Sequence, residues 1–151
     1  KKIINIFNLN KKISFIQNIN TNNPNIKNSI FSFWPYFTPE SCISFKRSFF
    51  IKFQKDTNKF KYKFTEVWLG FRLAVYSYYK DKSFYHLNEK LTFYENFGQS
   101  IKYKKFNFLW WKRRRDSFVY AHTITKKLIF LVNFDYLISS LINRTLSLLK
   151  S

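Results

Sequence analysis

Nine cations stand between residues 101 and 128: Lys102, Lys104, Lys105, Lys112, Arg113, Arg114, Arg115, Lys126 and Lys127. Asp116 is the one acid among them, which leaves that stretch at +8. Tyr103, Phe106, Phe108, Trp110, Trp111, Phe118 and Tyr120 are interleaved with the charges. Lys and Arg neutralise phosphates and release counterions, while aromatic faces stack on unpaired bases. The pattern therefore points to nucleic-acid binding. Adjacent like charges at Lys112–Arg115 repel one another without a partner, which favours phosphate contact for Arg113, Arg114 and Arg115 over a free surface. A solvated surface with its aromatics turned to a core is the plainer use of the same residues, and it accounts for some of the rings.

The groups needed for catalysis are sparse. His86 and His122 have no nearby Cys or repeated carboxylate to complete a metal site. The eight acids, Glu40, Asp56, Glu66, Asp81, Glu89, Glu95, Asp116 and Asp135, are scattered singly, so no paired-carboxylate site is expected. Gly70 and Gly98 are the only glycines, too few for a loop that cradles phosphate. The single Cys42 excludes an internal disulfide framework and a multi-cysteine zinc site, and reads as a small apolar filler. The expectation is a chain that is no enzyme and needs no cofactor or metal.

The elements that position these groups must fit in 151 residues and 18.6 kDa, room for one domain and an extension. Lys and Arg number 27 against 8 Asp and Glu, for a net charge of +19. Such a charge opposes compaction unless a polyanion neutralises it. Yet 46% of the residues are hydrophobic and 23% are aromatic, far too many for a disordered basic tail. Phe (20) and Tyr (10) abound while Gly (2), Pro (3) and Met (0) are scarce, a bias toward A/T-rich codons that suggests an organellar genome. The start Lys1-Lys2-Ile3-Ile4-Asn5 is not expected to be a secretory leader. The longest apolar stretch, Leu128 to Ile142, carries Asp135 and falls short of the roughly 20 residues a bilayer needs. A soluble protein, neither membrane-embedded nor a homo-oligomer, is expected.

Residues 1–62 show no sustained period and contain the turn-forming runs Asn20–Asn25 and Trp34–Pro39, so they read as an extension ordered on a partner. Residues 63–151 read as an RNA-binding domain. Val67, Leu69, Phe71, Leu73 and Val75 alternate as in a strand. Phe84, Leu87, Leu91 and Tyr94 recur at helical spacing, with Asp81 or Ser83 as the cap and Gly98 at the C-terminal end. A second strand over Ile101–Trp110, a charged tip at Lys112–Asp116 and a third strand over about Phe118–Val132 would form a basic hairpin. Asp135 then caps a helix with the stripe Leu137, Ile138, Leu141, Ile142, Thr145, Leu146 and Leu149. The two helical stripes would bury one sheet face. The expected class is α+β, a ferredoxin-like split βαβ with the order β-α-β-β-α.

At the expected hairpin the chain resembles a family. Lys104-Lys105-Phe106-Asn107-Phe108-Leu109, Arg115-Asp116-Ser117-Phe118 and Lys126-Lys127-Leu128-Ile129 are similar, in order and spacing, to three runs of the small-subunit ribosomal protein ten (S-ten) family. That resemblance covers about residues 64–150. It departs from the family at Gln99-Ser100, where a Pro-rich lead-in is lacking, and at Trp110-Trp111, which stand where the family has Ser-Pro. The segment between Phe118 and Lys126 is about two residues longer, and the family's strand-three histidine matches either His122 or Thr125. The family's fourth strand is expected to be missing. The resemblance implies a structural constituent of the mitochondrial small ribosomal subunit, in its head, on the 3′ domain of the rRNA. Neighbours there would be head proteins three, nine and fourteen. Lys102, Lys104, Lys105, Lys112, Arg113, Arg114, Arg115, Lys126 and Lys127 would contact RNA, with Trp110 and Trp111 packing on a base or a neighbour. Two rival readings stand: another nucleic-acid-binding component of the same particle with a different fold, and an accessory subunit of a mitochondrial respiratory complex, since basic aromatic chains from A/T-rich genomes occur there too.

Overall fold

A computed structural model of the chain describes residues 1–19, 42–60, 62–92 and 106–149. Its architecture is mixed α+β: a three-stranded sheet and five helices among the described residues. The central strand β1 (Phe15–Ile19) pairs antiparallel with β2 (Ile43–Phe45) and parallel with β3 (Phe84–Lys90). Phe15 lies beside Phe45 on one side and Phe84 on the other. A central strand is covered on both faces, so Phe15, Ile16, Gln17 and Asn18 are all buried and no polar-out alternation survives.

Each sheet face meets helices. Ile16 and Leu87 pack with Ile13 against Ile3, Ile6 and Phe7 of α1 (Lys2–Leu9) or its flank. Phe15 faces the larger core, built with Phe49 and Phe53 of α2 (Arg47–Thr57) and with Phe64, Val67, Phe118, Tyr120 and Phe130. Phe49 and Phe53 fall four apart on one helical face. Both meet Tyr76 edge-on, with ring centroids 5.7 and 5.4 Å away. Such tilted aromatic contacts join segments on both sides of residue 62, so the core crosses the division between extension and domain that the sequence suggests.

The stretch expected as a first strand is helical. α3 (Leu69–Val75) runs on as a π-helical turn over Tyr76–Asp81 and stops at Lys82, whose φ of 57° is left-handed. Gly70, Leu73, Ala74 and Ser77 are buried at i, i+3, i+4 and i+7. The alternation of large apolar residues hides this stripe because three of its members, Gly70, Ala74 and Ser77, are small. The stretch expected as a helix is β3. Only Leu87 is fully buried there, and pairing with β1 overrides the helical spacing of Phe84, Leu87 and Leu91. Asp81 and Ser83 cap nothing. Asp81 accepts from Lys52 Nζ at 2.5 Å, and the Ser83 carbonyl accepts from Ser14 and Phe15 N–H.

No hairpin forms over the described part of 101–132. Residues 108–125 are the helix α4 (Phe108–Thr125), started by Asn107, whose side chain accepts from Trp110 N–H at 2.7 Å. Ser117, Tyr120, Ala121 and Ile124 give it a buried stripe at helical spacing. It ends at Lys126, left-handed at φ 61°, whose N–H donates to the His122 carbonyl. A short 3₁₀ turn, Leu128–Phe130, takes the place of the third strand's end. His122 therefore sits on a helix and His86 on a strand, the reverse of expectation.

The last helix, α5 (Phe134–Leu148), lies where its leucine stripe predicts. Its cap is Asn133, which accepts from the Asp135 N–H at 2.9 Å, and not Asp135 itself. The orientation is also reversed. Asp135, Ser139 and Asn143 are buried, while Leu137, Leu141, Leu148 and Leu149 are exposed. Of the stripe expected to cover the sheet, Leu137, Leu141, Thr145 and Leu149 face away from the core, while Ile138, Ile142 and Leu146 are half-buried.

Candidate nucleic-acid interface

The proposed tip, Lys112–Arg115, lies in the first half of α4. Successive residues of a helix point about 100° apart, so these four cations do not form one patch. Each finds a partner inside the fold. Lys112 Nζ lies 3.0 Å from Asp116 Oδ2. The Arg113 guanidinium stacks over Trp68 at 4.0 Å from the ring centroid. Arg114 grips Asp135 through Nε at 2.5 Å and Nη2 at 2.6 Å, a fork that ties α4 to the first turn of α5. Arg115 donates to Asp116 Oδ1 through Nε and Nη2, and to Asn143 Oδ1 through Nη1 at 2.9 Å. The repulsion that the sequence assigns to an RNA partner is thus relieved in part by Asp116 and Asp135.

Trp110 and Trp111 pack edge to face at 4.6 Å, with the exposed Phe106 5.4 and 6.1 Å away. This cluster caps the N-terminal end of α4, where Phe106 adopts a left-handed φ of 69°. Lys126 and Lys127 are exposed at the opposite end of α4, with Lys127 Nζ 5.6 Å from the Tyr79 ring centroid. Lys102, Lys104 and Lys105 lie outside the described residues. The described basic groups of the sequence motif therefore lie in the first half of α4 and just past its end rather than together at a tip.

A groove between α4 and α5 brings together residues that the motif reading did not group. Lys112, Arg115, Asp116 and Val119 line it from α4, Lys63 and Phe64 from the turn before α3, and Tyr136, Ser140, Asn143, Arg144 and Ser147 from α5. Its volume is about 640 Å³. Four cations against one carboxylate make its lining +3. Ser140, Asn143 and Arg144 went unseen because the leucine stripe assigns them to the outer face of α5. Their one sequence signal is that they share a helical face with Asp135 and Ser139 (i, i+4, i+5, i+8, i+9).

No family profile, curated protein or solved structure matches this chain.

Among the described residues, no group of three or more His, Cys, Asp and Glu could hold a metal ion. No helix among them is long and apolar enough to cross a membrane. Five of the described acids pair with cations of the same fold. Asp56 accepts from Tyr76 Oη at 2.8 Å and pairs with Lys80 at 3.1 Å, and Glu89 pairs with Lys2. The Tyr76 hydroxyl and the Lys80 ammonium hold the Asp56 carboxyl below the usual carboxylate range. Asp81, Asp116 and Asp135 are paired as described above. Meanwhile Lys11, Lys12, Lys55, Lys59, Lys63, Lys82, Lys126 and Arg144 stand exposed.

Proposed function

We propose that this chain is a structural, RNA-binding constituent of a mitochondrial small ribosomal subunit, and not an enzyme. The observation that carries this reading is the charge balance. Asp56, Asp81, Glu89, Asp116 and Asp135 already hold cations of the same fold, and 27 cations to 8 acids leave +19 for a partner outside it. A polyanion meets that surplus better than a protein neighbour does, because phosphate contacts also release counterions. The Lys126-Lys127-Leu128-Ile129 and Arg115-Asp116-Ser117-Phe118 runs support the S-ten resemblance by order and spacing. In this chain they lie on a helix, α4, and the turn after it, so the likeness is one of sequence and not of a hairpin.

In that reading the protein sits in the head of the subunit on the 3′ domain of the rRNA, beside head proteins three, nine and fourteen. Exposed Lys126 and Lys127, together with Lys102, Lys104 and Lys105, contact phosphate, and the Phe106–Trp110–Trp111 cluster meets a base or a neighbour. The second rival reading, an accessory subunit of a mitochondrial respiratory complex, draws on the exposed leucines of α5, which suit an apolar partner. Sedimentation of a clarified organelle lysate in a sucrose gradient, with and without ribonuclease, separates the two. Migration with the small subunit and collapse on ribonuclease treatment is the expected result. Ribonuclease-insensitive migration with a membrane complex would overturn it.

A further inference from the structure

Asn143 is 4% exposed on the face of α5 turned toward α4. Its Oδ1 accepts from Arg115 Nη1, which fixes which way the amide points, since an arginine cannot accept. Nδ2 must then face away from Arg115, and it has no hydrogen-bond partner. Neither has Ser140 Oγ, one turn earlier on the same face. Buried polar groups are ordinarily paired, and two adjacent exceptions on the wall of one groove call for an external acceptor.

The charges around them specify what that acceptor is. Arg115 spends its three nitrogens on Asp116 and Asn143, and Lys112 also binds Asp116, so these two hold the wall in place and leave a surplus of one positive charge. Lys63 and Arg144 stand exposed at the rim and add two more. A cation is excluded by that lining, and a purely apolar ligand would leave Asn143 Nδ2 and Ser140 Oγ unpaired. An oxyanion satisfies every group: acceptor oxygens for Asn143 Nδ2 and Ser140 Oγ–H, and negative charge for Lys63 and Arg144.

We propose that the α4–α5 groove is a phosphate-binding site, with Lys63 and Arg144 as its neutralising rim, Asn143 and Ser140 as donors just beneath its surface that a small side-chain shift brings to the ligand, and Arg115 as the residue that positions Asn143. The proposal rests on the RNA-binding reading for the source of the phosphate, a backbone phosphodiester, while the same chemistry would hold free phosphate. The groove volume accommodates a phosphate with its flanking sugars.

The test uses the full chain, two probes and two variants. Lys63→Gln with Arg144→Gln removes the exposed rim charges. Asn143→Asp keeps the acceptor for Arg115 and replaces the free donor with an oxygen; circular dichroism checks that it folds. Inorganic phosphate should raise the thermal midpoint of the wild type above that in chloride of equal ionic strength, and neither variant should show the rise. A single-stranded RNA oligonucleotide should bind the rim variant about tenfold more weakly, with a salt dependence shallower by about one to two counterions. RNA binding with unchanged affinity and slope in both variants, and no phosphate-specific rise, would overturn the groove and leave the RNA-binding reading standing. A phosphate rise lost in the variants, with no RNA bound by the wild type, would uphold the groove as a free-phosphate site and overturn that reading instead.

Discussion

α2 and α5 are both amphipathic, and they are built inside out with respect to each other. α2 puts Phe49 and Phe53 into the core and leaves Lys52 and Lys55 in solvent. α5 buries Asp135, Ser139 and Asn143 and leaves Leu141 67% exposed. A hydrophobic stripe states that a helix has two faces; it does not state which one turns inward. For α2 the nearest neighbours are rings, Phe15 and Tyr76, and apolar surface wins. For α5 the neighbour is the basic half of α4, and the Arg114–Asp135 fork and the Arg115–Asn143 bond select the polar face. The leucines are left for something else to cover.

That contrast is open to direct attack. Phe53→Ala should cost the fold about 3–5 kcal/mol in denaturant unfolding, the range for truncating a well-packed ring. Asp135→Asn should cost about 2–3 kcal/mol, because it strips a partly buried guanidinium of its forked partner and loosens α5 from α4. A loss below about 0.5 kcal/mol would mean that the fork does not orient α5. Tyr76→Phe should cost about 1–2 kcal/mol by removing the hydroxyl that donates to Asp56. The same variant has a pH signature. The Asp56 carboxyl is depressed in the folded state, so its contribution is present above the ordinary carboxylate range and fades as pH falls through and below it. Acid unfolding of Tyr76→Phe should therefore show a weaker loss of stability across that window than the wild type. Tyr79 supplies the alkaline counterpart: burial pushes its phenol up to about 12, so its contribution holds below pH 10 and is lost as pH rises toward 12. Leu141→Ser should change stability by no more than about 0.5 kcal/mol. A cost like that of Phe53→Ala would show that the leucine face is covered within the monomer, and the comparison would fail.

The same physics explains what could be read from the sequence. α5 was legible as a helix because its leucines repeat at helical spacing, and illegible in orientation because its partners are side chains 21 to 28 positions away on α4. α4 was misread because rings and cations occupy every side of it, so no period stands out, and the aromatic run Tyr103–Trp110 resembles a strand. β3 was misread because an edge strand with one buried residue, Leu87, offers little alternation to detect. β1 was hidden for the opposite reason: burial on both faces encloses Gln17 and Asn18, which look like loop residues in isolation. Half of the candidate groove was visible as the charges of Lys112 and Arg115. The other half, Ser140, Asn143 and Arg144, is not visible because a leucine stripe facing inward would turn these residues to solvent.

The position of β1 at the middle of the sheet has a consequence for how the protein is made. Phe15 leaves the ribosome 69 positions ahead of Phe84, its parallel neighbour. Closing so long a loop carries an entropic cost before any pairing offsets it, and sheets dominated by such distant partners fold slowly. Until β3 has been synthesised, β1 has only the three-residue β2 beside it and an open edge on its other side. Nascent chains up to about residue 84 therefore present a sticky strand margin, and their fate depends on a chaperone or an assembly partner reaching that margin before another nascent chain does.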